Sequence, residues 1–374
     1  MPDKTKTTDI LLTTFPSEGT KNVGDQLITA SAIKLIRYRI PDYSPEIVFR
    51  EEPLERFSKN DVRTILAPGF SVTDHVYPKK FKLYEDLDSV ITRVFPVGCS
   101  FQHWLPLQSS YDTYIYSGET ISLLRKLAAN DGALPCRDEL IAKMLNRHGV
   151  PAKYCGDLAL YDDEVIGKRF EPPARVRSIA VTIQHKRKFF GQSKKLLDLI
   201  RRDFSDADLY VVHHSVPTEG SEAVAEYAKS IGFKEKDLSG SVENLDFYDD
   251  IDLHIGYRLH GHIAFLRRRK PSVLIVEDAR SFGISQSGDL ETGTFLSVLE
   301  DGATIDKEAP GKAMKFIRLQ AKKEFAEYQK VFSYIDQSYK AFVRPYFDRF
   351  SKRLGWSKMS VGYIKSILSA GRLG

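Results

Sequence analysis

Residues 161–177 read YDDEVIGKRFEPPARVR, a charged stretch carrying Pro172-Pro173, and the chain has the same texture on either side of it. Such a run interrupts helical and strand periodicity alike and reads as a linker between domains. Upstream, residues 10–15 (ILLTTF) are a strand candidate, followed by a helical pattern to about Arg39. Residues 64–67 (TILA) and 94–97 (VFPV) are further candidates, running into Gly69 and Gly98. Residues 133–136 (ALPC) precede a helical pattern through Leu140, Met144 and Leu145 that stops at Gly149. Downstream the alternation restarts, with strand candidates at residues 179–183 (IAVTI), 209–212 (LYVV), 253–255 (LHI) and 273–276 (VLIV).

Strand–helix alternation on both sides of one linker predicts an α/β fold of two doubly wound, mostly parallel sheets. Sheets of this kind bind ligands beyond the C-terminal ends of their strands, so the site is expected in the cleft between them. The expected division is residues 1–165, residues 178–310 and a basic helical segment, residues 311–374. In that last segment Phe316, Leu319, Phe325, Tyr328 and Phe332 supply apolar positions for one or two long helices. Residues 352–370 read as an amphipathic helix with a basic opposite face.

The chain of 374 residues is 42% hydrophobic and 28% charged, ample for two cores. Its start, MPDKTKTTDI, lacks the apolar stretch of a secretory signal. Its apolar runs fall far short of the roughly 18 residues of a membrane span. Cys99, Cys136 and Cys155 are an odd, scattered set that fits a reducing compartment. A cytoplasmic protein is expected. Cys-x-x-Cys and His-x-x-x-His spacings are absent, so no zinc site is expected. Net charge is +5, but residues 311–374 hold 14 Lys/Arg against 4 Asp/Glu, leaving the remainder acidic. That asymmetry points either to a basic helix docked on the body or to peripheral contact with an anionic membrane at its inner face. No basic stripe interleaved with aromatics signals nucleic acid.

Three constellations carry the chemistry. Asn22-Val23-Gly24-Asp25 follows the first strand and opens the first helix; Gly24 permits close approach, and Asp25 is placed as an N-cap, where free amides favour an anion. It does not match Gly-x-Gly-x-x-Gly, so no dinucleotide site is indicated. Arg137-Asp138 follows a strand and opens a helix; Arg137 either reaches the cleft or forms a surface ion pair. In the stretch from Asp252 to His262 a strand ends near Gly256 and a helix is expected from Gly261 to Leu266, placing Arg258-Leu259-His260 at a strand's C-terminal end. Arginine offers a planar fork for carboxylate or phosphate, and histidine moves protons near neutrality. Arg280, after the 273–276 strand, either adds a second anion contact or pairs with Asp278. The Asp-x-Asp at residues 250–252 sits at the wrong end of its strand for a metal role, and the run Arg267-Arg268-Arg269-Lys270 reads as cations favoured at a helix C-terminus.

In order and spacing these motifs resemble the polysaccharide pyruvyl transferase family. The matching residues are Asn22 to Asp25, Arg137-Asp138 through Leu145 to Gly149-Val150, Gly156-Asp157-Leu158-Ala159-Leu160, and Arg258-Leu259-His260, spanning roughly residues 8–290. Departures are the single glycine of Ala67-Pro68-Gly69-Phe70, the turn Pro96 to Ser100, and Leu140 near a position where a serine is frequent. The resemblance implies a GT-B-like fold and transfer of the pyruvyl part of phosphoenolpyruvate onto sugar hydroxyls, commonly as a ketal, in exopolysaccharide or cell-surface glycan synthesis. It implies that Arg258 and His260 contact the donor and that Asn22 and Asp25 lie on the facing side. Leu259, Gly24, Arg137 and Arg280 are further substrate-binding candidates from their positions, with His260 the candidate acid and Asp25 the candidate base. The partners would be phosphoenolpyruvate and a glycan or lipid-linked oligosaccharide, with no cofactor or metal. Rival readings are a nucleotide-sugar glycosyltransferase of the same architecture and an inactive glycan-binding homologue.

Overall fold

The computed structural model describes residues 7–16, 18–184 and 186–355. The amphipathic helix expected at residues 352–370 therefore lies almost wholly outside the described residues. The first half opens with β1 (Thr8–Thr13), α1 (Val23–Arg37), β2 (Glu46–Phe49) and β3 (Val62–Pro68). A short turn α2 (Val76–Lys79), β4 (Val94–Val97), a second turn α3 (Ser109–Asp112) and α4 (Gly118–Ala129) follow. It closes with β5 (Leu134–Cys136), α5 (Glu139–Arg147) and β6 (Ala152–Tyr154). The second half comprises β7 (Ser178–Thr182), α6 (Phe190–Asp203), β8 (Asp208–His213), α7 (Glu219–Ser230), β9 (Lys234–Asp237), β10 (Leu253–Gly256), α8 (Leu259–Arg267), β11 (Ser272–Val276), α9 (Ala279–Ser285) and β12 (Thr294–Leu296). Helices α10 (Ala309–Lys322), α11 (Tyr328–Ser338) and α12 (Arg344–Arg353) end the described chain.

Strands run β2-β1-β3-β4 in one parallel sheet and β12-β11-β10-β7-β8-β9 in another. The pair β5-β6 extends the first sheet, because the Cys99 amide donates to Pro135 and the Arg137 amide to Cys99. Central strands β1 and β10 are buried along nearly their whole length, as parallel strands covered on both faces must be. This is a GT-B-like arrangement of two Rossmann-type halves whose strand ends meet in a common cleft.

The C-terminal helices differ from the expected pattern in ways that have local causes. The helical run breaks after α10, where Glu324 and Phe325 both take positive φ (50° and 54°), and Leu319 faces solvent instead of the core. Pro345 has no amide to donate. The helix nonetheless continues from α11 into α12 through a π turn at Tyr339–Val343, where the Arg344 amide reaches back to Tyr339. α12 crosses back onto the first half: Arg39 pairs with Asp348 at 2.7 Å, Arg349 with Asp131, and Phe350 packs edge-on to Phe95. The basic charge of this helix is thus partly neutralised by the acidic body.

The run of four cations after α8 also does more than flank a helix end. Arg267 donates to Ser31 and Asp162 of the first half, Arg268 pairs with Asp249, Arg269 with Asp336, and Lys270 donates to backbone carbonyls of Tyr248 and Ile251. It ties the two halves and the C-terminal helices together. Asp252 accepts from the Arg177 and Ser178 amides and closes a strand start, away from the cleft.

Candidate active site

The cleft side of the second half is built on the end of β10. A Cβ at Gly256 would lie 2.3 Å from the Thr182 carbonyl, so only glycine lets β10 leave the sheet this close to β7. The next amides are donated back, Tyr257 to the Thr182 carbonyl and Arg258 to its hydroxyl. Thr182 is itself held by His254, whose other nitrogen, like that of His262, meets the Ser272 hydroxyl. Arg258 is extended (φ −81°, ψ 115°) and stands at the N-cap of α8. That helix starts at Leu259, two residues before the expected Gly261, so His260 lies within its first turn rather than ahead of it. The side-chain hydrogen bond of Arg258 among the described residues goes to the neutral Ser215 hydroxyl at 3.2 Å. Burial weakens its charged form, Glu277 favours it and Arg280 opposes it, with smaller help from Asp25 and Asp278; the net effect is a lowered pKa.

Facing it is the start of α1. Asn22, three residues ahead of the expected Asp25, caps the helix, its side-chain carbonyl accepting from the Gly24 amide at 3.2 Å while its amide donates to Asp25 at 3.0 Å; Asp25 lies inside the first turn. This turn is stitched to the other half: Val23 donates to the His214 carbonyl, Val216 to Thr20 and Gly240 to Lys21. Gly24 lies against His260, and a Cβ there would come 2.2 Å from the imidazole Nδ1.

On its other side the His260 ring presents Nε2 to Asp157 Oδ2 at 3.5 Å, and Arg137 Nη1 reaches the same oxygen at 3.7 Å. Arg137, Asp157 and His260 are all buried. The surface ion pair entertained for Arg137 is thereby corrected: β5 carries it inward beneath the cleft, toward a buried carboxylate. Burial disfavours the Asp157 anion, but the facing His260 and Arg137 outweigh it and hold its pKa below the usual carboxylate range. Its other oxygen accepts from the Ala159 amide at 2.9 Å. Asp138 caps α5 through the Ile141 amide, and burial pushes its pKa up to about 7.

The end of β11 adds a third group. Asp278 caps α9 in a reciprocal box with Ser281 and takes two hydrogen bonds from Arg280, at 2.9 and 2.6 Å. Arg280 thus pairs with Asp278 while still acting electrostatically on Arg258 and Glu277. Burial works against the Asp278 anion, yet Arg280 and the Ser281 amide keep it well below the usual range. Beside it Glu277 has a buried Oε2 without a hydrogen-bond partner among the described residues. Burial, reinforced by Asp278, raises its pKa to about 7 despite the opposing charges of Arg258, Lys186 and Arg280.

A family model described as polysaccharide pyruvyl transferase matches residues 22–278. The chain belongs to the polysaccharide pyruvyl transferase family. The match opens at the cap of α1 and ends at the cap of α9, so it encloses both walls of the cleft. No curated protein matches the chain. Among solved structures, S. aureus MnaA with UDP is similar at TM-score 0.47 and 10% identity, covering 87% of this chain and 91% of that one. UDP-GlcNAc 2-epimerases are similar too. The Methanocaldococcus jannaschii enzyme has TM-score 0.44 and 10% identity, with 84% and 92% covered. The Neisseria meningitidis enzyme has TM-score 0.42 and 10% identity, with 93% and 99% covered.

Family membership makes the chain a glycan-modifying transferase. In this pyruvyl transferase family member the cleft brings together Asn22, Gly24, Asp25, Arg258, Leu259, His260 and Arg280, with Arg137 one layer beneath. Asp157, Glu277, Lys186 and Ser215 join them without having been singled out as site residues. Asp157 had a signal, since Gly156-Asp157 belongs to the family's motifs; the other three had none. Among the described residues no group of three His, Cys, Asp or Glu side chains is arranged to hold a metal ion, and no helix is long and apolar enough to cross a membrane. A surface hollow of about 650 Å³ lies elsewhere, lined by His75, Tyr77, Glu85, Asp86 and Lys126. The cleft is recognised by its chemistry rather than by its volume.

Proposed function

We propose that this protein transfers the pyruvyl group of phosphoenolpyruvate to two hydroxyls of one glycan sugar, closing a ketal, in bacterial-type exopolysaccharide or cell-surface glycan synthesis. The observation that carries the reading is the state of Arg258. It is a desolvated guanidinium whose side-chain hydrogen bond is to a neutral hydroxyl, with Arg280 and Lys186 also acting on the adjacent Glu277. Glu277, its pKa raised to about 7, neutralises Arg258 only in part near neutrality, while Arg280 is already paired with Asp278. A small dianionic donor with a carboxylate and a phosphate supplies the missing charge.

His260, as imidazolium, gives its proton to the methylene carbon of the donor. C2 becomes oxocarbenium-like, and a sugar hydroxyl attacks it while Asp25 takes the hydroxyl proton. Phosphate leaves with the proton held by Asp25, and a second hydroxyl of the same sugar closes on C2, returning its proton to His260. Atoms balance as one donor and one diol to one ketal and one phosphate. Asp157, anchored by Arg137, is a positioning residue that keeps the His260 ring oriented. The acceptor is a glycan, free or lipid-linked. Peripheral contact with the inner face of the plasma membrane would fall to the basic residues beyond residue 355.

Phosphoenolpyruvate is expected to raise the melting temperature of the wild-type protein, as a ligand selective for the folded state does. UDP- and GDP-sugars are expected not to. For Arg258→Ala the donor affinity falls by roughly tenfold to a hundredfold, the worth of one charge-assisted contact. Stabilisation by a nucleotide sugar in place of phosphoenolpyruvate would favour a glycosyltransferase, and unchanged donor affinity in folded Arg258→Ala would remove that residue from the site.

A further inference from the structure

Trp104 is 76% exposed, the second most exposed of the large apolar side chains among the described residues, yet the loop that carries it is firmly held. The loop follows β4. Phe101 is fully buried and stacks on the His103 ring, whose Nδ1 accepts from the Leu105 amide at 3.3 Å. The Ser110 hydroxyl ties down the Leu105 carbonyl at 3.0 Å. Across the domain boundary the His103 carbonyl accepts from the amide of Ala279 at 3.2 Å, one residue from Arg280 and two from Glu277. The indole therefore stands at the mouth of the cleft. Lys186 Nζ lies 4.9 Å from its ring centroid and also acts electrostatically on Glu277. With Lys186 over the ring, most of the indole stays bare, in a fixed place beside the proposed donor site.

We infer that Trp104 is the platform on which a pyranose ring of the acceptor glycan stacks, with Lys186 beside it available to a ring hydroxyl or an acidic substituent. This rests on the pyruvyl-transfer reading and adds where and how the acceptor is held. The axial C–H groups on one face of a pyranose form an apolar surface the size of an indole, and an aromatic face of negative potential attracts them. A rigid anchor loop makes this binding inexpensive in entropy, because the ring is already ordered. Its location explains its exposure: an aromatic platform at a cleft mouth must stay bare until the sugar covers it.

The chain has two tryptophans, so Trp356→Phe leaves Trp104 as the sole indole. In that background the probes are methyl glycosides and short β-linked oligosaccharides of glucose, galactose, mannose and N-acetylmannosamine, titrated with and without phosphoenolpyruvate. At least one saccharide is expected to shift the Trp104 emission saturably. Trp104→Ala is expected to raise the acceptor KM roughly tenfold while phosphoenolpyruvate still raises the melting temperature as in wild type. Trp104→Phe recovers most of the loss. The inference is overturned by Trp104→Ala turning over a transferred saccharide with wild-type KM, or by no saccharide in the panel moving the emission. A shift produced by phosphatidylglycerol vesicles alone would overturn it as well, making the residue a membrane contact. A saccharide response without any pyruvyl transfer would leave the platform standing and remove the function it was built on.

Discussion

Asp157→Asn is expected to destabilise the protein by about 3–5 kcal/mol and to abolish turnover, the cost of removing one partner from a buried charge cluster. Asparagine keeps the shape and can still cap the Ala159 amide, so the loss is electrostatic. Arg137 and His260 approach the same Asp157 oxygen at 3.7 and 3.5 Å. Without that anion the buried guanidinium of Arg137, whose Nε and Nη2 have no other partner among the described residues, keeps its charge uncompensated. His260 loses the carboxylate that its Nε2 faces. The pH dependence follows from the direction of the Asp157 shift. A carboxyl whose pKa is lower in the folded state contributes stability that is present above the unfolded pKa and lost as pH falls through the folded one. The gap in melting temperature between wild type and variant is therefore widest at neutrality and narrows below about pH 4. A variant that melts like wild type near neutrality would show that the cluster contributes nothing.

Gly24→Ala is expected to lower turnover by roughly 10²-fold, the scale of a misplacement of about 1 Å at a reacting group. The new Cβ would lie 2.2 Å from His260 Nδ1 and 2.7 Å from its Cβ and Cγ, so neither rotation of the ring nor a small adjustment relieves the clash. Either α1 withdraws, taking Asn22 and Asp25 away from Arg258, or the imidazole leaves Asp157. Both separate the two halves of the site, and overpacking of this kind costs about 1–3 kcal/mol. Gly191→Ala is the control: nothing lies within 4 Å of a Cβ there, and a helical alanine in its place stabilises slightly. Wild-type turnover in Gly24→Ala would mean that His260 is not held where the chemistry occurs.

Much of this arrangement is legible in the sequence because it is local. The strand–helix alternation, the cap Asp138, and Arg258-Leu259-His260 at a strand end all declare themselves within a few neighbours, whereas the cap of α1 is Asn22 rather than the expected Asp25. What the sequence hides is either unpatterned or non-local. Strand β9 (Lys234–Asp237) is charged and exposed throughout, so no alternation marks it; parallel pairing with β8 alone makes it a strand. The cluster of Arg137, Asp157 and His260 comes from three strand ends in two sheets. Arg137 resembled any helix-start arginine until the fold placed it under the cleft. Glu277 has no motif, and its raised pKa follows from burial beside Asp278. Those are properties of packing, invisible to spacing.

The most direct measurement incubates the purified protein with phosphoenolpyruvate and candidate bacterial surface glycans, and follows glycan mass and released phosphate together. The account predicts a product heavier by one pyruvic acid less one water, one phosphate released for each, and both signals from Arg258→Ala lowered roughly tenfold to a hundredfold at subsaturating donor. Glycans of unchanged mass with no phosphate release, or a mass gain that requires a nucleotide sugar, would contradict it.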